Sequence, residues 1–239
     1  MMNSSGDSRQ DRSHAQVGDR PLPLRGGPSR VIYLHGFASS AQGIKARFFA
    51  SQFDQNPHTR FVALELAPTP DDFRFMTFTG LIDRLRQYRM EQPAQHVSLV
   101  GSSMGGLVAL NYAFRYGDVK RMLLLAPALY YRAGNASQDE LEMWKQAGDA
   151  PIEHAAFGRT VPLAYGFHQD GQRYLEPVPP AAPTLIIHGR DDDVVPISDS
   201  RAYAARYSQV TLVEVEGGHS LNDQLLFIWD QIRSFLVDQ

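Results

Sequence analysis

The chain has 239 residues and is 43% hydrophobic, enough for one domain with a substantial core. Its 23 Lys and Arg nearly balance 26 Asp and Glu, and the net charge of -3 leaves no electrostatic footprint for nucleic acid or an anionic membrane. With no cysteine, disulfides, thiolate metal sites and a cysteine nucleophile are excluded.

Residues 1–29 are polar and rich in Gly, Ser, Asp, Arg and Pro, and cannot bury enough apolar area to offset the entropy of ordering. A disordered tail is predicted there, and Asp7, Asp11 and Asp19 argue against a mitochondrial transit peptide. No stretch approaches the roughly 18 to 20 apolar residues of a membrane span, and the N-terminus lacks the apolar run of a secretory signal. A soluble, cytoplasmic protein is expected, with residues 30–239 forming its single domain.

From Arg30 onward, short apolar runs alternate with stretches of helical periodicity, the pattern of βα units wound into a parallel sheet covered on both faces. Strands are predicted at 31–34, 61–64, 97–100, 122–125, 184–187 and 210–215. Helices are predicted at 41–52, 75–91, 104–116, 199–207 and 223–237. The alternation lapses between Pro127 and Pro183, where Tyr-, Gly- and Pro-rich sequence suggests a lid passing over the sheet. That excursion is expected to hold a helix near 138–146. A hairpin is also expected, with Asp170-Gly171 as the turn joining 163–167 to 172–175.

The strongest chemical signal is Gly101-Ser102-Ser103-Met104-Gly105-Gly106, between the apolar run 97–100 and a helical pattern. It fits G-x-S-x-G in the strand–turn–helix setting that exposes the central serine above a sheet, with glycines leaving room for close backbone approach. The register selects Ser103 over Ser102, which would need glycine at Val100. A serine hydroxyl needs a base, and histidine suits that task. Of the eight histidines, His219 follows the last predicted strand in Glu216-Gly217-Gly218-His219, at the carboxyl edge where parallel strands gather ligands. A carboxylate to orient the imidazole should stand at another strand end. After residues 184–187 comes His188-Gly189-Arg190-Asp191-Asp192-Asp193-Val194-Val195-Pro196, in which spacing alone does not rank the three aspartates. His188 is read as a structural turn residue.

These motifs resemble the α/β-hydrolase family, in particular its small esterases, over Val31 to the C-terminus. The resemblance implies an α/β-hydrolase fold: a mostly parallel sheet of about six strands, helices on both faces and a small lid at 127–183. Family members often carry a hairpin before the first parallel strand, for which this chain has only the tail. The family's H-G-x-x-D-x-V-V-P pattern selects Asp192 as the acid, and the order Ser103, Asp192, His219 is the family order. Its H-G-x oxyanion motif, matched by His35-Gly36-Phe37, nominates the Phe37 N–H, and the Met104 N–H follows the nucleophile at a helix N-terminus.

The candidate pocket residues are Phe37, Met104, Leu129, Tyr130, Tyr131, Trp144, Phe157, Tyr165 and Phe167, a lining that favours an apolar acyl or alcohol portion. Lys45 and Arg47 are read as a solvated helix face rather than a carboxylate anchor. The function expected is hydrolysis of a small-molecule carboxylic ester or thioester through an acyl-enzyme, with no cofactor and no metal. Amidase, C–C hydrolase and acyltransferase chemistry use the same triad, and a non-catalytic ligand-binding protein is the alternative of another class.

Overall fold

The computed structural model describes residues 29–56, 58–133 and 136–237. The tail predicted at 1–29 therefore lies almost wholly outside the described residues. Six strands form one sheet: β1 (Ser29–Leu34), β2 (Thr59–Leu64), β3 (Val97–Ser102), β4 (Arg121–Leu125), β7 (Thr184–Gly189) and β8 (Val210–Val215). Their spatial order is β2-β1-β3-β4-β7-β8, and every neighbouring pair is parallel.

Such a sheet must bury both faces, and side chains alternate accordingly. Ile32, Leu34, Leu99, Met122, Leu124 and Ile186 join one core with α3 (Phe78–Glu91), α4 (Met104–Tyr116) and Tyr203 of α7 (Ile197–Arg206). Val31, Tyr33, Val100, Leu123, Leu125 and Ile187 face α1 (Ile44–Phe53) and α8 (Leu225–Ile232). Fully buried residues such as Leu34, Leu99 and Met122 each contribute about 1.5 to 3 kcal/mol by leaving water.

The chain runs from β1 outward to β2, then returns past β1 to β3. This reversal makes a switch point at the carboxyl ends of β1 and β3, where crevices form in open α/β sheets. The residues that follow those two strands, His35-Gly36-Phe37 and Ser103, are thereby brought side by side.

Two expectations are corrected. The predicted helix 75–91 begins only at Phe78, as α3 capped by Thr77, and a short helix that was not expected precedes it: α2 (Pro70–Arg74), closed by a Thr69/Asp72 capping box. The predicted helix 223–237 is a 3₁₀ turn (Asn222–Gln224), then α8, then a π turn (Arg233–Val237).

The 127–183 excursion carries α5 (Gln138–Ala147) where a helix was expected, but its hairpin lies elsewhere. β5 (Asp149–His154) pairs antiparallel with β6 (Arg159–Ala164), while Gly166–Gly171 forms α6. Asp170-Gly171 does not turn a hairpin because both residues serve tertiary contacts. The Asp170 carboxylate accepts from the Thr79 amide (2.8 Å) and hydroxyl (2.7 Å). A Cβ on Gly171 would stand 2.6 Å from the Tyr131 ring. The excursion is pinned to α2 by a two-pronged Arg74–Asp149 contact (3.0 and 2.6 Å) and internally by the Trp144 indole donating to the Leu163 carbonyl (2.8 Å).

Close approach of α4 to the sheet demands glycine. A Cβ on Gly105 would lie 2.2 Å from the Leu34 carbonyl oxygen, and one on Gly101 would lie 2.5 Å from that of Gly105. Gly105→Ala should therefore lower stability by about 3 kcal/mol in urea unfolding, from overpacking against rigid backbone. Gly117→Ala, where φ is 65° and open space surrounds the position, should cost only about 1 kcal/mol. Equal costs would contradict this packing account.

Candidate active site

Ser103 occupies the turn between β3 and α4 at φ 52° and ψ -118°, conformations that L-residues avoid. Three backbone hydrogen bonds hold it: its N–H donates to the Leu125 carbonyl (2.9 Å), and its carbonyl accepts from Gly106 (2.8 Å) and Ala128 (3.1 Å). The side chain is thereby aimed out of the sheet.

His219 arrives from the loop after β8. Its Nε2 accepts from the Ser103 hydroxyl at 3.0 Å, and its Nδ1–H donates to Asp192 Oδ2 at 2.8 Å. What brings the two loops together is again glycine. A Cβ on Gly189 would lie 2.2 Å from the Gly217 carbonyl oxygen, and the Asp191 amide donates to that same oxygen at 3.1 Å.

The Asp192 carboxylate is closed to solvent and fully engaged. Oδ2 accepts from His219 and, at 3.0 Å, from His188 Nε2; Oδ1 accepts from the amides of Val194 (2.9 Å) and Val195 (2.8 Å). Burial by itself would raise its pKa, but the Val195 amide, the His219 ring and the Val194 amide outweigh that and hold it below the usual carboxylate range. Asp191 and Asp193 are exposed. His188 is buried and held by the Ser200 hydroxyl at 2.8 Å, so it braces the acid from below.

Phe37 and Met104, the two nominated amide donors, line one cavity with Ser103. Gly36 abuts the serine: a Cβ there would stand 3.3 Å from Ser103 Cβ. Met104 opens α4, so its N–H has no partner in the helix's own ladder.

The cavity encloses about 320 Å³. Of the nominated pocket residues, Phe37, Met104, Tyr130, Tyr131, Trp144 and Phe167 line it. Leu129, Phe157 and Tyr165 do not: Leu129 is buried in the core, Phe157 stacks on His154, and Tyr165 borders a neighbouring depression. Phe78, Leu107, Ile152 and Leu163 complete the apolar wall. Ile152 and Leu163 belong to the hairpin that was misplaced in the sequence, which is why they were missed.

Sequence reasoning also missed Glu65, at the end of β2. One carboxylate oxygen accepts from the Ala41 amide at 2.9 Å, and the other lies 2.8 Å from His35 Nε2. Burial raises the Glu65 pKa, but His35 and the amides of Ala41 and Ala67 together bring it below its ordinary value. Glu65 thus fixes both ends of the 35–41 loop, which presents the Phe37 amide.

Comparison with known proteins bears on the fold. Residues 30–236 match the family described as an uncharacterised protein family, UPF0227. The chain belongs to that family. No curated protein matches the sequence. Among solved structures, Est1E from Butyrivibrio proteoclasticus with ferulic acid bound superposes with a TM-score of 0.70 at 17% identity, over 89% of each chain. Alpha/beta hydrolase domain-containing protein 10 from mouse gives 0.68 at 20% identity, over 88% of this chain and 92% of that one. An esterase (EaEST) from Exiguobacterium antarcticum gives 0.61 at 18% identity, over 88% and 92%. The UPF0227 chain therefore has the α/β-hydrolase fold, as its motifs implied. No helix among the described residues is long and apolar enough to cross a membrane.

The role assigned to Glu65 is open to a structural check. Glu65→Ala should speed hydrogen exchange of the Ala41 amide about tenfold, since a bond to a charged acceptor contributes about 1.5 kcal/mol or more. An unchanged exchange rate would show that the loop does not depend on Glu65.

Proposed function

We propose that the protein is a serine hydrolase that cleaves a carboxylic ester or thioester of a small, partly apolar molecule. The observation that carries this reading is the single imidazole of His219 set between the Ser103 hydroxyl and the Asp192 carboxylate, at 3.0 and 2.8 Å. A His tautomer with the proton on Nδ1 leaves Nε2 free to take the serine proton, and a buried, ionised Asp192 favours that tautomer and the cation that follows.

In this reading Ser103 Oγ attacks the acyl carbon while His219 Nε2 takes its proton. The Phe37 and Met104 amides receive the oxyanion; each such donor is worth about 3 to 4 kcal/mol of barrier. His219 then gives the proton to the leaving oxygen or sulfur as its bond to the acyl carbon breaks. Water, deprotonated by the same nitrogen, releases the acid from Ser103. The apolar cavity of about 320 Å³ takes the acyl portion, and the 127–183 excursion acts as its lid. The esterases named above lend support through shared fold, as does the strained turn that Ser103 alone occupies in this motif.

A fluorophosphonate probe should label the wild-type protein and leave Ser103→Ala unlabelled. Asp192→Asn should lower kcat on p-nitrophenyl butyrate by about 10⁴-fold, whereas Asp191→Asn and Asp193→Asn, being exposed changes, should stay within about threefold of wild type. Labelling that survives Ser103→Ala would overturn the assignment of the nucleophile.

A further inference from the structure

A second cavity, of about 480 Å³, abuts the same 35–41 loop. Phe37 borders the first cavity, whereas Ser39 and Ser40 border the second. The β5–β6 hairpin likewise spans both: Ile152 and Leu163 line the first, and Ala155 and Ala156 at its tip line the second. The two chambers are therefore neighbours across one loop.

The second chamber differs in its uncompensated charge. The charged residue lining the first is Arg132, which is paired with Asp199, whereas Lys45 and Arg47 line the second and no acidic side chain does. Many cations of this chain have acidic partners: Arg74 has Asp149, Arg132 has Asp199, and Arg201 has Glu214. Lys45 and Arg47 have none among the described residues. Lys45 is half-buried rather than a solvated surface lysine, and its ammonium donates to the Ser220 carbonyl, one residue beyond His219. The first turn of α1 adds to the positive field, since its Gly43 cap supplies no side-chain acceptor and the turn holds no acid. Uncompensated positive charge in a concave site, reaching the turn that carries the general base, calls for a negative ligand.

The direction of the chemistry says which part of the substrate that ligand is. The leaving atom must receive its proton from His219 Nε2, so the leaving group departs on the side of the His219 turn, where Lys45 and Asn222 stand. We propose that the second cavity binds an anionic group, a carboxylate or a phosphate, carried on the alcohol or thiol portion of the substrate, while the acyl portion fills the apolar cavity. This inference rests on the serine-hydrolase reading. The proton balance is unchanged: the bond from the acyl carbon to the leaving oxygen or sulfur breaks, His219 protonates that atom, and the anion remains ion-paired to Lys45 and Arg47.

Burial pushes the Lys45 ammonium down to about 8, so it is charged below that pH and neutral above it. The other titratable groups lining the cavity are Arg47 and Tyr33, whose hydroxyl is driven well above its ordinary value by burial. The ratio of anionic to neutral substrate turnover should thus be full well below pH 8 and shrink as pH rises through it. Any effect of pH that is common to the anionic and neutral substrates cancels in the ratio.

The test uses three S-butanoyl thioesters: of 2-mercaptoethanol, of 3-mercaptopropionate and of 2-mercaptoethyl phosphate. At pH 7 the wild-type protein should favour an anionic thioester over the neutral one by about tenfold in kcat/KM. Lys45→Met and Arg47→Ala should each cut that ratio by about threefold, and which anion is preferred identifies carboxylate or phosphate as the partner. Equal kcat/KM for all three would overturn the inference alone. So would a Lys45→Met loss shared equally by all three, which would make Lys45 only a brace for the His219 turn. If no thioester is hydrolysed and the fluorophosphonate probe does not label Ser103, the hydrolase reading fails and this inference falls with it.

Discussion

A residue with a Cβ held at φ 52° costs about 1 to 2 kcal/mol, and the chain bears that cost at the one serine on which everything else converges. The turn persists because its surroundings over-determine it. Three backbone hydrogen bonds fix Ser103, and Gly101, Gly105 and Gly106 let α4 pack against β1, β3 and Pro127 at distances no Cβ permits. Were α4 to back away, Ser103 would relax and lose its alignment with a histidine whose position is set independently, at the far end of β8.

That second position is also over-determined, by electrostatics rather than sterics. Four donors saturate the Asp192 carboxylate, so an ionised acid stays buried and gives His219 a fixed acceptor. The two halves meet because parallel strands deliver their carboxyl ends to one rim. The 35–41 loop, tied down by Glu65, stands between an apolar chamber and a basic one. Proposed chemistry at Ser103 and the proposed anion site at Lys45 are thus two consequences of one partition: apolar surface on the side of the 127–183 excursion, unpaired positive charge on the His219 side.

Much of this was legible in the sequence for a physical reason. Strands buried on both faces read as continuous apolar runs, and each of the six core strands begins or ends within about two or three residues of its run. The G-x-S-x-G glycines are likewise dictated by backbone contact, which no other residue satisfies. The excursion was harder, because its determinants are non-local. Pro151 and Pro162 sit opposite each other in the β5–β6 ribbon, tolerated because a two-stranded ribbon has only edges, yet each reads as a strand breaker. Gly158 at φ 62° marked the true turn, while Asp170-Gly171 looked like one only because Thr79 and Tyr131 are distant in sequence. The α2 helix did leave a local signal, Thr69-Pro70-Asp71-Asp72, a capping box with proline in the first turn. Glu65 and the setting of Lys45 left none, since their roles depend on loops joined only in three dimensions.

The account's central claim is that Ser103 itself takes the acyl group, and peptide mass mapping of protein quenched in acid during turnover of p-nitrophenyl butyrate tests it most directly. A butanoyl adduct on Ser103, absent when His219 is replaced by alanine, is the result this account predicts. An adduct on Ser102 or on any other residue, or sustained turnover with no covalent adduct under any quench, would contradict it.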